Sequence, residues 1–310
     1  MNYNPFENLD GAHLDGPLYV KYGVYGVAQP AGRIFYVEAN TGIDGRDGLS
    51  WASAFKTLAA AFVASNAYIA LATGVGWASR NIIYYKGDNN EAAAETLITL
   101  PSKCDVIGVG SYDGRKQPSL IGNHVIGAGA YMGTRFINMG FQSPAAGGVI
   151  FTLPTTGQVD FLNCVFDGRS ATPATIAINL TAVEQCQIIG CNFFGKYSTA
   201  TINIATGSGR AMRIVDNFIE SGAIGIKINA GYTCVDAMGA ILNNTFAVVT
   251  LLLDDDSDTV MFGNNSGATE SDGTQVLTLD SNADLAFNNV IACGAGTVSI
   301  YPIITATIPT

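Results

Sequence analysis

Charge is scarce in this chain. Of 310 residues only 13% are Asp, Glu, Lys or Arg, while 48% are hydrophobic. So thin a charge coat points to an outer face covered by other subunits or by a larger assembly. The basic sign is the scarcer one. Fifteen Lys and Arg stand against 25 Asp and Glu, a net charge of −10. Nucleic-acid binding needs a basic footprint, so that class is excluded. Long apolar runs are also missing, and nothing approaches the length of a membrane span. The six cysteines form no close CxxC pair, so a metal knuckle or a disulfide framework is disfavoured. Met1–Asp10 carries neither a basic segment nor an apolar core, so no secretory signal is expected. No phosphate-binding loop or nucleophile triad is legible, and no cofactor is implied.

What the chain does have is a repeat. Phe136-Ile-Asn138-Met-Gly-Phe141 returns as Phe161-Leu-Asn163-Cys-Val-Phe166, Ile189-Gly-Cys191-Asn-Phe-Phe194, Ile214-Val-Asp216-Asn-Phe-Ile219 and Ile241-Leu-Asn243-Asn-Thr-Phe246. Fainter copies begin at Met261 and Leu285, so the steps between starts are 25, 28, 25, 27, 20 and 24 residues. Short β-branched and aromatic runs at that period, with Asn or Gly between them, predict strands stacked in a solenoid. No coil can bury its apolar face alone, so inward residues of successive coils must form columns. This predicts an all-β parallel β-helix over 81–310. The recurrent Asn suits a left-handed corner or a side-chain ladder from coil to coil, although Asn also marks ordinary surface turns. Cys164 and Cys191 fall within the repeat and read as small buried apolar residues.

Residues 1–34 lack the repeat. They are rich in Gly and aromatics, including Tyr3, Phe6, Tyr19, Tyr22 and Tyr25. Disordered segments are usually poor in aromatics, so an extended arm that docks on a partner through these residues is expected. Residues 35–80 follow as an N-terminal cap. Ile34–Val37 reads as a strand, and Ser50 or Ser53 can cap a helix whose apolar face is Phe55, Leu58, Ala59 and Phe62. Such a helix would cover the open end of the first coil.

Tyr36-Val37, then Gly42-x-Asp44-x-x-Asp47-Gly48-x-Ser50, then Ala54-Phe55-x-Thr57-Leu58 resembles the start of the pectin-lyase-like right-handed β-helix superfamily. That superfamily includes bacteriophage tailspikes, other virion proteins and polysaccharide-degrading enzymes. The resemblance implies a right-handed, single-stranded parallel β-helix. It leaves function open, because function resides in sites grafted onto a fold.

Candidate chemistry is sparse. Asp254-Asp255-Asp256-Ser-Asp258 is the one dense acidic cluster. It can be read as a solvated turn, as a calcium site, or as a glycosidase carboxylate pair formed by Asp254 and Asp256 on one face of a strand. Asp44 and Asp47 could hold calcium, or simply form turns. His124 could serve as a general base or be structural. Of the sequence sets that mark the superfamily's polyuronate hydrolases, only an Asp-Asp is present, and no catalytic or metal set is expected. The expectation is therefore a non-enzymatic virion protein of a tailed bacteriophage, on head or tail. It would be homotrimeric and attached to other virion proteins through residues 1–34, with no nucleic-acid or membrane partner. The alternatives are a tailspike-type glycan depolymerase, or a receptor binding a surface glycan through Trp51, Trp77 and Tyr112.

Overall fold

Inward and outward residues alternate along each short apolar run, as a strand requires. In Cys104–Gly108 the buried residues are Cys104, Val106 and Gly108, with Asp105 and Ile107 facing outward. The computed structural model describes residues 32–71, 79–87, 93–110, 117–129, 131–153, 157–168, 172–181, 185–209, 212–234, 239–257, 260–269, 277–278, 285–293 and 298–301. Tyr3, Phe6, Tyr19, Tyr22 and Tyr25, the carriers of the docking-arm expectation, lie outside these residues.

The runs stack as a parallel β-solenoid. One sheet holds ten strands, all parallel, from Ile34–Glu38 (β1) and Asn81–Lys86 (β2) to Val260–Gly263 and Leu285–Phe287. A second ladder runs from Ala93–Ala94 to Asn289–Cys293. A third starts at His124–Val125 and joins the second through the long strands Phe218–Cys234 and Thr245–Asp255. The first sheet begins at β1, which pairs with β2 in register, Phe35 opposite Ile83.

The repeat is real, but its phase needs correction. Phe136 pairs with Phe161, Phe161 with Ile188, Ile188 with Ile214, Ile214 with Ile241, and Ile241 with Phe262. The inward member of the third copy is therefore Ile188, not Ile189, and the fainter copies are read from Phe262 and Ala286. With this phase the third residue of every copy is Asn138, Asn163, Gly190, Asp216, Asn243, Asn264 or Asn288, and all have φ between 52° and 65°. This is the left-handed corner between the first and second sheets. Gly190 serves there partly because a Cβ would lie 2.4 Å from the Asn163 side-chain oxygen of the preceding coil.

The core sits between the ladders. Phe136 and Phe161 stack at 5.5 Å between ring centroids, and Phe166 and Phe193 at 5.0 Å. Phe151 bridges the two columns, edge-on to Phe136 and Phe141. All are fully buried. The one α-helix among the described residues, Leu58–Leu71 (α1), packs on β1 and β2 through Leu58, Ala61 and Phe62. Two local expectations change. Ser50 caps a short 3-10 turn, Trp51–Ser53, rather than α1. Phe55 precedes α1 and bridges to Val37, and Ala59 is exposed. Leu97 and Leu100 are buried in the irregular segment that follows Ala93–Ala94. The strand Val298–Tyr301 pairs antiparallel with Asn289–Cys293.

Candidate functional site

The residue just before each inward residue of the first sheet faces outward. Down the coils these are Asp105, Arg135, Asp160, Gln187 and Arg213, paired in that order. Position alone thus gathers residues spread over more than a hundred positions of chain. Asp105 accepts from Arg135 Nε at 2.6 Å and Nη2 at 2.7 Å, and from Arg80 Nε at 2.7 Å. Burial alone would raise the Asp105 carboxyl. The hydrogen bonds from Arg135 and Arg80 outweigh that and hold it below the ordinary value. Asp160, on the far side of Arg135, is 3% exposed. Burial raises its carboxyl, and the Gln187 N–H at 3.1 Å offsets this only in part.

Carboxyls pushed in opposite directions are the mark of acid–base pairs. Here the arrangement works against catalysis. Asp105 and Asp160 stand two coils apart, about 9.6 Å at strand spacing, and Arg135 occupies the coil between them. Asp105 is engaged by two guanidinium groups. The cluster neutralises itself and can stand under a covering surface. Sequence reasoning missed it because its members are far apart in the chain. For Asp105, Arg135 and Asp160 the constant offset from the Phe136 column is a signal that could have found them, while Arg80 lies outside that column.

The singled-out residues are dispersed. Asp254 is half-buried and accepts from Lys227 Nζ at 2.6 Å on the adjoining coil. Asp256 is exposed, and its N–H donates to Ile228 O. Asp255 between them is fully buried, with Oδ1 accepting from Ser257 N and Oγ at 2.8 and 2.6 Å. Asp258 is outside the described residues. Asp44 accepts from Lys56 N, Thr57 N and Thr57 Oγ1, ahead of α1. Asp47 accepts from Leu49 N, closing a tight turn that draws its carboxyl down. The N-terminus of α1 itself is held by Glu95, which accepts from Ala59 N at 2.8 Å and Leu58 N at 3.1 Å. Among the described residues no three His, Cys, Asp or Glu side chains gather as a metal site, and no helix is long and apolar enough to cross a membrane.

His124 is inside the molecule. It heads the third ladder's inward column, opposite Phe151 and in line with Ile178, Ile202, Ile226 and Leu253. Its ring lies 5.6 Å from Phe141 and 5.3 Å from Phe151. Nδ1 accepts the Leu97 N–H at 3.1 Å, which places the ring proton on Nε2. Burial lowers its pKa to about 4. Trp51 is 40% exposed and lies edge-on to Tyr36 at 4.9 Å, with Tyr84 at 5.8 Å beyond Tyr36. Trp77 and Tyr112 are outside the described residues.

Comparisons with protein-family models, with curated proteins and with solved structures find no match to this chain.

Proposed function

We propose that this chain is a non-enzymatic structural protein of a tailed-bacteriophage virion. It is a right-handed β-helix of the pectin-lyase-like kind, closed at its N-terminal end by α1, attached through residues 1–34 and assembled as a homotrimer. One observation supports the non-enzymatic part: of the candidate residues, Asp254, Asp44 and His124 are committed to structural contacts. Asp254 is paired with Lys227, Asp44 accepts from the Lys56 and Thr57 N–H groups just ahead of α1, and His124 is sealed against Phe141 and Phe151. The virion assignment is supported by the resemblance at residues 35–65, by the stacked repeat, and by an aromatic segment preceding the first strand.

The test is co-sedimentation with phage particles of the full chain and of a chain starting at Ile34. Retention of the full chain and loss of the shorter one is the expected result. Equal binding would move attachment onto the solenoid. Glycan binding is favoured by one feature, the exposed Trp51 beside Tyr36 and Tyr84, since amphipathic rings suit one apolar and one wet side. Trp51→Ala and Asp254→Asn separate the alternatives: loss of glycan binding in the first supports a receptor, and loss of glycan cleavage in the second supports a depolymerase.

A further inference from the structure

The outer surface of the first sheet carries a second column beside the charged one. Ile107, Ile137, Leu162, Ile189, Val215 and Leu242 follow one another on successive coils. Tyr84 extends the column at its N-terminal end, opposite Ile107. All but Val215 are half-buried, and Val215 is 7% exposed. The outward residues of the other ladders are broken by polar groups. The second has Gln142, Asp167 and Glu220, and the third has Asn179, Asn203, Lys227 and Asp254. The six aliphatic positions are not needed for the core, which is filled by their neighbours Val106, Phe136, Phe161, Ile188, Ile214 and Ile241.

We propose that this column is the contact surface between copies of the chain. The inference rests on the homo-oligomer reading above and assigns its face. Two physical points select a second copy as the occupant. First, the charged groups beside the N-terminal part of the column are already paired within the chain, while Arg213, two residues before Val215, is exposed. Asp105 is held by Arg80 and Arg135, and Asp160 by Gln187 N and Gln158 Nε2. A neighbour can therefore cover the stretch from Ile107 to Leu162 without stranding an unpaired charge, the main cost of drying a polar surface. Second, the size fits. Tyr84 to Leu242 spans six coil steps, about 29 Å, and a five-residue strand is about 17 Å long. That is about 500 Å² on each chain and about 1,000 Å² for a pair, the lower limit of a specific interface. In a closed ring of three the column of each chain faces the threefold axis and is shared between its two neighbours, about 1,500 Å² over the three chains, and such a ring does not propagate.

The experiment is sedimentation equilibrium of the full chain at micromolar concentration. Wild-type protein is expected at three times the 32.3 kDa chain mass. The double variant Leu162→Glu, Ile189→Glu is expected at the single-chain mass with an unchanged far-ultraviolet circular dichroism spectrum. Thr245→Lys, an exposed position on the second ladder, is expected to stay assembled. A double variant that remains assembled overturns the assignment of this face while leaving the homo-oligomer intact. A monomeric wild type overturns both. If the double variant does not fold, Leu162→Ser decides. About a tenfold or greater weakening of association, roughly 1.4 kcal/mol, supports the face, and unaltered association overturns it.

Discussion

The side-chain amide of Asn217 donates to Asn244 Oδ1 at 2.9 Å, one coil away, while the same oxygen accepts the Asn217 main-chain N–H at 3.0 Å. Asn244 repeats both bonds to Asn265, and Asn265 to Asn289. Each amide also donates inward, Asn217 to Ile188 O and Asn244 to Ile214 O. Cys164 and Cys191 occupy the same column below and direct their thiols to Phe136 O and Phe161 O. A buried ladder so fully bonded fixes register, because a one-residue slip would orphan every amide in it.

Asn244→Ala should therefore be costly. It leaves one of the two Asn217 amide N–H groups and the Asn217 main-chain N–H without acceptors in a buried corner. At about 1–3 kcal/mol for each orphaned group, a loss of about 3–5 kcal/mol is expected in denaturant unfolding. Asn243→Gly, at the exposed left-handed position with φ 57°, should change stability by only a few tenths of a kcal/mol. A ladder variant as stable as wild type would show that these bonds do not hold the fold.

The corrected phase makes a sharp pair. Ile188→Asp puts a charge into the core and should cost several kcal/mol. Ile189→Asp faces outward and should leave the melting temperature of the single chain near that of wild type. The opposite ranking would restore the phase read from sequence. Phe161→Asp should behave like Ile188→Asp, since Phe161 touches Phe136, Phe141, Phe151 and Phe166.

His124 sets an acid limit. Its folded pKa, about 4, lies below the ordinary 6.5. The unfolded chain therefore binds the proton first, and stability is complete above about pH 6.5 and falls progressively toward pH 4. The full loss is about 3 kcal/mol. His124→Phe should abolish this slope, at the expense of leaving the Leu97 N–H without its acceptor. An unchanged slope between pH 6.5 and 4 in the variant would assign the effect to other groups.

Glu95 should respond in the other direction. Burial raises its carboxyl, the Ala59 and Leu58 N–H groups lower it in part, and the Asp44 charge raises it further. The stability tied to its proton is present at low pH and is lost as pH rises through the folded pKa. Glu95→Gln keeps one of the two acceptor oxygens and removes the buried charge, so at pH 7 it should lose less stability than Glu95→Ala. Glu95→Ala, which removes both acceptors at the start of α1, should cost about 1 kcal/mol. Equal losses in the two variants would mean that the ionised carboxylate, rather than the hydrogen bonds, supports the helix.

Much of this was legible in the residue pattern. Short β-branched runs at a 20–28-residue period determined the parallel solenoid, because such runs cannot bury their faces except against one another. The Asn at the third position of a copy determined the left-handed corners, since few other residues tolerate that conformation. A helix between the first two strands was readable from its apolar spacing. What the pattern left open was phase. In Ile188-Ile189, as in Met261-Phe262, both neighbours are apolar, and alternation cannot say which one points inward. The ambiguity has a structural cause: the first sheet carries aliphatic residues on both of its faces. Only pairing across coils decided it, through the Asn ladder and the Phe136–Phe161 stack. The same holds for the Arg80–Asp105–Arg135–Asp160 cluster, for Glu95 at the start of α1, and for the burial of His124. Each depends on residues from different coils being brought to one height, and a single stretch of sequence has no term for that.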